Sequence, residues 1–390
     1  MNRQFHLSFV EQAKLIFGND FIPLHRPVFE GNERQYLIDC IDSNFVSSVG
    51  EKVTDFEKKV SEFTGSKYAI ATVNGTAALH VAIELSGVKH GDEVITQALT
   101  FIATCNAISY AGAKPLFVDV DLDTMGLSPA ALRVFLEKTA EKSSNGTYNK
   151  LSGKRISACI PMHTFGFPCR IAEIAEICSH WGIALIEDAA ESLGSYVGRR
   201  HTGNFASMAT LSFNGNKVIT TGGGGMVITD DPVLAKRAKY ITTTAKVAHP
   251  YEFVHDEIGY NYRMPNLNAA LGCAQMERLN DFLAIKTQLA DQWDNFFDGR
   301  GVEFFKALGG NKANHWLNTI ILDSREDRDE FLKLTNDNNV MTRPIWTLMS
   351  KLPMFKDCQT DGLENSLWLE DRVVNIPSSV PDGAFRKMDK

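Results

Sequence analysis

No stretch of the chain is apolar over the length needed to cross a bilayer, and the start, Met1-Asn2-Arg3-Gln4-Phe5-His6, lacks the long apolar core of a secretory signal. No surplus of positive charge is offered to a nucleic acid backbone: 40 Lys and Arg stand against 47 Asp and Glu, a formal net charge of −7. No Cys-x-x-Cys pair occurs. The seven cysteines, Cys40, Cys105, Cys159, Cys169, Cys178, Cys273 and Cys358, are odd in number and scattered, which argues for reduced thiols in a cytoplasm and against a disulfide framework. Cys159 and His163 fall on one face of a strand-like segment, but no further ligands follow at zinc spacing, so no metal is expected. Internal repeats and low-complexity tracts are absent as well.

What is present is ordinary globular usage, 44% hydrophobic and 22% charged over 390 residues, enough for two domains around substantial cores. From residue 46 to about 245, strands and helices alternate, as in Lys114-Pro115-Leu116-Phe117-Val118-Asp119-Val120, which implies an α/β fold with a mostly parallel sheet covered on both faces. Residues 141 to 154, rich in Ser, Asn, Lys and Gly, read as an exposed loop. A long helical pattern runs from Asn266 to about Phe297, and Trp316-Leu317-Asn318-Thr319-Ile320-Ile321-Leu322 opens a smaller α/β domain. The expected division is an N-terminal segment 1–45 packing with the small domain, a large domain 46–265 and a small domain 266–390.

Lys217 stands after a short apolar strand, with Ser212 and Asn214 before it and Gly222 to Gly225 just beyond. Taken singly it reads first as a solvated turn residue. A pyridoxal phosphate enzyme would hold its cofactor as an imine on a lysine so placed. Upstream, Trp181-Gly182-Ile183-Ala184-Leu185-Ile186-Glu187-Asp188 reads as a buried strand ending in carboxylates, which puts Asp188 at the ligand-binding end of a parallel strand. A buried carboxylate needs a positive or hydrogen-bonding partner, and a protonated pyridine nitrogen is one. A helix cap or a surface salt bridge would also account for Asp188. A third unit, the strand Tyr68 to Val73 followed by Asn74-Gly75-Thr76, places free amides at a helix start where a phosphate dianion can bind, or where a capped helix simply begins.

Together with Gly91-Asp92-Glu93-Val94-Ile95, Thr100-Phe101-Ile102-Ala103-Thr104, Glu187-Asp188-Ala189-Ala190, Ser212-Phe213 and Gly259-Tyr260-Asn261-Tyr262-Arg263-Met264, these residues resemble the DegT/StrS-type nucleotide-sugar aminotransferases, in that family's order and over roughly residues 20 to 350. The resemblance implies the aspartate-aminotransferase fold (fold type I), pyridoxal 5'-phosphate as cofactor, glutamate as amino donor, a nucleotide sugar as acceptor, and a homodimer with shared active sites. It implies Lys217 as the cofactor-bearing lysine and Asp188 as the partner of the ring nitrogen. Phe101 is implied as the stacking aromatic, Gly75, Thr76 and Ser212 as phosphate ligands, and Asn261 as the residue reaching the neighbouring subunit's phosphate.

Two positions depart from the commoner family pattern: Glu191 stands where many members have Gln facing the cofactor phenolic oxygen, and Gly223 where an acidic residue often interrupts the glycines. A carboxylate beside a phenolate repels it, so Glu191 must be protonated, turned away or bridged. Asn214 to Gly225, Thr242 to Lys246 and Phe253 to Glu257 resemble the enzymes that aminate C4 of UDP-linked 4-keto-6-deoxy-N-acetylhexosamines for bacillosamine and legionaminic acid. A dTDP- or GDP-linked sugar, a related dehydratase and a non-catalytic cofactor-binding regulator remain alternatives; the dehydratase branch replaces the lysine with His, and this chain keeps Lys217. His163, Arg263, Arg343 and Trp346 are candidates for substrate contact, because Arg forks suit phosphate or carboxylate and Trp stacks on a base. Lys246 and His255 are placed in a loop that could cross a dimer interface.

Overall fold

A computed structural model describes residues 3–384. Seven strands form the central sheet: β1 (Tyr68–Thr72), β2 (Glu93–Gln97), β3 (Lys114–Val118), β4 (Ile156–Ile160), β5 (Ala184–Asp188), β6 (Met208–Ser212) and β7 (Gly225–Thr229). Their order is β1-β7-β6-β5-β4-β2-β3. β7 runs antiparallel to both neighbours, while every other adjacent pair is parallel.

The strands are apolar on both sides because helices cover both faces. On one face Ile70, Val94, Ile160, Ile186 and Val227 join Leu79, Val81 and Ile108 from the helices Gly75–Leu85 and Ile102–Tyr110. On the other, Ile95, Leu116, Cys159 and Leu185 meet Leu132, Ile174 and Cys178 from Pro129–Thr139 and Ile171–Trp181. The same face carries on through Ala209, Leu211, Met226 and Ile228 against Phe56 and Leu283.

A second, antiparallel sheet is built from β8 (Glu303–Phe304), β9 (Asn318–Ile321), β10 (Arg343–Pro344) and β11 (Val373–Ile376), in the order β8-β9-β11-β10. Helix Arg3–Phe17 closes its core: the Phe9 ring lies 4.9 Å from Phe331 and 5.2 Å from Trp293.

The long helix expected from Asn266 is present with bounds Asn266–Phe297, yet it does not belong to the small domain alone. Its first half, including Ala269, Cys273 and Leu283, lies in the large domain's core, and its second half, Leu289 to Phe297, lies in the small domain's. A boundary at 266 therefore assigns to the small domain the whole of a helix that both cores share. The N-terminal segment divides in the same way. Arg3–Phe17 packs on the small domain, whereas Glu33–Asp42 lies along the long helix's first half, where Gln275 Nε2 donates to Glu33 and Tyr36 Oη to Glu277. The polar stretch expected to be a plain loop is a hairpin, Ala140–Ser143 paired with Gly146–Asn149; its buried Thr147 and Asn149 provide the inward face that composition alone conceals.

Candidate active site

The parallel strands end on one edge of the sheet, the edge where open α/β folds bind ligands. There, β1 leads into Asn74-Gly75-Thr76, β2 into Phe101, β4 into His163, β5 ends at Asp188 and β6 at Ser212. Because β7 is antiparallel, its first residue, Gly225, pairs with both Thr72 and Ser212 at this edge.

At the start of helix Gly75–Leu85 the Asn74 side chain caps the Ala77 amide at 2.8 Å, leaving the amides of Gly75 and Thr76 without an intrahelical acceptor. The glycines permit close approach. A Cβ on Gly75 would sit 2.9 Å from Ser212 Cβ, and one on Gly225 would sit 2.3 Å from the Asn74 carbonyl oxygen. Two free amides, the Thr76 and Ser212 hydroxyls and the positive end of the helix dipole thus converge. Gly75→Ala is predicted to weaken pyridoxal phosphate binding by at least about tenfold while costing roughly 1–3 kcal/mol of apoprotein stability through overpacking. Cofactor titration and urea unfolding read the two effects, and unchanged affinity would remove this cradle.

Asp188 is fully buried. Its Oδ2 accepts from Thr104 Oγ1 at 2.6 Å and its Oδ1 from the Ala190 amide at 3.2 Å. Burial pushes its carboxyl above the ordinary aspartate range, and the Thr104 and Ala190 bonds offset this only in part. That is the condition of a carboxylate lacking a full cationic partner, so the protonated ring nitrogen of pyridoxal phosphate suits it. Thr104 lies one helical turn into Ile102–Tyr110, whose N-cap is Phe101; the Phe101 ring is half exposed at the same edge.

Lys217 sits in a turn closed by its own amide bonding the Asn214 carbonyl. Its Nζ lies 3.1 Å from Glu191 Oε1 and 3.9 Å from the centre of the Trp316 ring. Trp316 is fixed from two sides: its indole donates to the Asn216 carbonyl at 2.6 Å, and its own carbonyl accepts from the buried Lys286 ammonium at 3.3 Å. Asn314 Nδ2, from the same segment, donates to the Glu191 carbonyl at 2.8 Å.

Glu191 is buried. Its Oε2 accepts from the Phe165 amide at 2.8 Å, and Phe165 adopts a left-handed backbone, φ 56°, that a bulky side chain rarely takes. Burial pushes the Glu191 carboxyl up to about 7, with Lys217 pulling the other way. A carboxyl that readily takes up a proton near neutrality lessens the repulsion that a phenolate at this position would meet.

Trp346 lies 4.8 Å from Phe165 and 6.1 Å from Phe101, ring centre to ring centre, so these three aromatics line one wall. Two expected substrate contacts are not brought to it. His163 is fully buried, with Nε2 3.0 Å from Glu187 Oε2 and Nδ1 accepting from the Cys169 amide, so both ring nitrogens are occupied. Arg343 is exposed and spends its guanidinium on Asn336 Oδ1 and the Thr342 carbonyl. Arg263 donates to the Ser48 carbonyl at 2.8 Å, and its backbone pairs with Thr72 at the end of β1. Asn261 is exposed and bridges Thr243. Lys246 bridges His255, with its Nζ 4.3 Å over the Phe253 ring.

Thr104, Phe165 and Trp316 also contribute to the site, and the sequence pattern does not single them out. Thr104 had only a partial signal, three residues after Phe101 at helical spacing. Trp316 had none, because it meets Lys217 across 99 positions (316 − 217) of chain.

A doubly wound sheet with one antiparallel strand, a buried aspartate and a lysine at the strand ends, and a helix start open to phosphate define a pyridoxal phosphate enzyme of fold type I. The chain belongs to the DegT/DnrJ/EryC1/StrS aminotransferase family, which it matches over residues 27–381. It is a pyridoxal phosphate-dependent aminotransferase. The GDP-perosamine synthase of Escherichia coli O157:H7 is 35% identical over 360 residues, 92% of this chain and 93% of its own length. That of Vibrio cholerae is 34% identical over 92% and 94%. The solved structure of Helicobacter pylori PseC, an aminotransferase involved in the biosynthesis of pseudoaminic acid, shares the fold with TM-score 0.83 at 20% identity, over 92% of this chain and 94% of its own.

Proposed function

We propose that this enzyme moves an amino group from glutamate to C4 of a nucleotide-linked 4-keto-6-deoxy sugar, with Lys217 as the cofactor-bearing and proton-moving residue. The observation that carries the reading is the Lys217 amine held between Glu191 and Trp316 at the sheet edge that also presents Asp188 and the Gly75-Thr76 amides. Pyridoxal phosphate held there would supply an electron sink next to the carbon that gives up its proton. Asp188 keeps the ring nitrogen protonated. The Gly75 and Thr76 amides with Ser212 Oγ hold the phosphate, and Phe101 covers the ring. Lys217 Nζ takes the proton from the donor's Cα and returns it in the second half-reaction. Trp346, backed by the buried Phe165, offers aromatic surface to the nucleotide.

The second copy of a homodimer completes this site by lending Asn261. In support, Asn261 faces away from its own chain's core, and the segment before it exposes Tyr251, Phe253 and Ile258, each more than four-fifths accessible. Phe45, Val46 and Val49 add a further exposed apolar surface of the kind that association covers.

Relatives named as GDP-perosamine synthases favour a GDP-linked sugar. The motifs around Asn214 to Gly225 and Phe253 to Glu257 favour the UDP-linked N-acetyl sugar as the second reading. Offering GDP-, UDP- and dTDP-linked 4-keto-6-deoxy sugars with glutamate and measuring 2-oxoglutarate decides between them. The GDP substrate is expected to give the highest kcat/KM. A preference for the UDP substrate selects the second reading, and no turnover with any of the three overturns the assignment.

A further inference from the structure

Glu191 is a buried carboxylate that the reaction just described leaves without a task. Its two oxygens are assigned separately: Oε2 is held by the amide of Phe165, and Oε1 faces Lys217 Nζ at 3.1 Å. The lysine side chain is only 13% exposed and the glutamate 2%. Nζ also lies 3.9 Å from the centre of the Trp316 ring, which accepts no proton. Water therefore has little access to the amine, and Oε1 is the base within reach.

We propose that Glu191 is the proton acceptor for Lys217, taking the ammonium proton onto Oε1 whenever the lysine is free, and so keeping a reactive amine present. The transfer breaks one N–H bond of Lys217 and forms one O–H bond on Glu191. It leaves a neutral amine and a carboxylic acid, and nothing is oxidised or reduced. The interior favours this exchange because two buried charges become none. Glu191's carboxyl, pushed up to about 7 by burial, is poised to hold a proton near neutral pH. A glutamine at this position would hydrogen-bond but could not accept the proton. The left-handed Phe165 and the Asn314 bond to the Glu191 carbonyl fix the carboxylate's aim, as a proton relay requires. The proposal rests on Lys217 being the attachment residue.

The test mixes apoenzyme with pyridoxal phosphate at pH values from about 6 to 9 and follows the rate at which the visible band of bound cofactor grows. Wild type, E191Q, E191D and K217A are compared, and the wild-type to E191Q ratio cancels the titration of the cofactor itself. The wild-type rate is expected to be nearly level wherever the Lys217–Glu191 pair holds a single proton, because the share of that proton on Oε1 does not change with pH. The E191Q rate is expected to climb about tenfold per pH unit wherever its ammonium predominates. E191D, which keeps a carboxylate, is expected to restore the level profile at a lower rate. An E191Q profile parallel to wild type, with unchanged thermal midpoint, overturns the Glu191 proposal and leaves Lys217 standing. A band that K217A forms at the wild-type rate overturns Lys217 itself.

Discussion

Lys217→Ala is expected to abolish the visible absorbance of the bound cofactor and to lower kcat by roughly 10⁴-fold or more, the scale seen when a residue that is both covalent anchor and proton carrier is removed. The size follows from the geometry. Among the described residues, Lys217 Nζ is the primary amine set against Glu191 Oε1 and the face of the Trp316 ring. Lys286 is also buried, but its three donors are committed to the carbonyls of His315, Trp316 and Ser378. Truncation leaves Glu191 Oε1 without its hydrogen-bond partner. Because burial already favours the protonated carboxyl, that loss costs little near neutral pH, and the apoprotein is expected to stay folded. Absorbance titration, steady-state 2-oxoglutarate formation and circular dichroism together check the prediction. Retained colour in a folded variant would contradict it.

Asp188→Asn is expected to lower kcat roughly 100- to 1000-fold, the usual scale for losing one preorganised electrostatic contact to developing charge, while the cofactor remains attached. The substituted amide is near in shape and can still accept from Thr104, so the pocket survives. What goes is the charge that keeps the ring nitrogen protonated, and with it the electron sink. Stability moves the opposite way. Burial without a cation raises the Asp188 carboxyl above its ordinary range, so in the apoprotein its ionised form is disfavoured. Replacing it by a neutral group is expected to leave the apoprotein's thermal midpoint unchanged or higher. A fall in kcat without a fall in stability separates a role in catalysis from a role in folding. A variant with wild-type kcat would remove Asp188 from the reaction.

Much of this arrangement was legible in the sequence, for a physical reason. Asp188, Ser212 and the Asn74-Gly75-Thr76 turn each stand at the end of an apolar run, and a parallel sheet gathers such ends on one edge without any contact having to be foreseen. Contacts between distant segments were not legible. His163 follows a strand beside β5, yet its ring turns to Glu187, whose oxygens also take the amides of Gly203, Phe205 and Ala206; that choice depends on a loop 40 residues away (203 − 163). Arg343 looked free until the helix Arg325–Asp337 brought Asn336 within reach. That Asn266–Phe297 is shared by both cores was not legible, because the helix changes partners midway while its apolar pattern continues without a break. Glu191 was readable as a departure from the family pattern, but its pairing with Lys217 came only with three dimensions.

The central claim is that Lys217 carries the cofactor. The most direct measurement is borohydride reduction of the enzyme loaded with pyridoxal phosphate, followed by proteolysis and mass mapping of the peptides. A single stoichiometric adduct on the peptide containing Lys217 is expected. An adduct on another lysine, or none in a protein that has bound the cofactor, would contradict it.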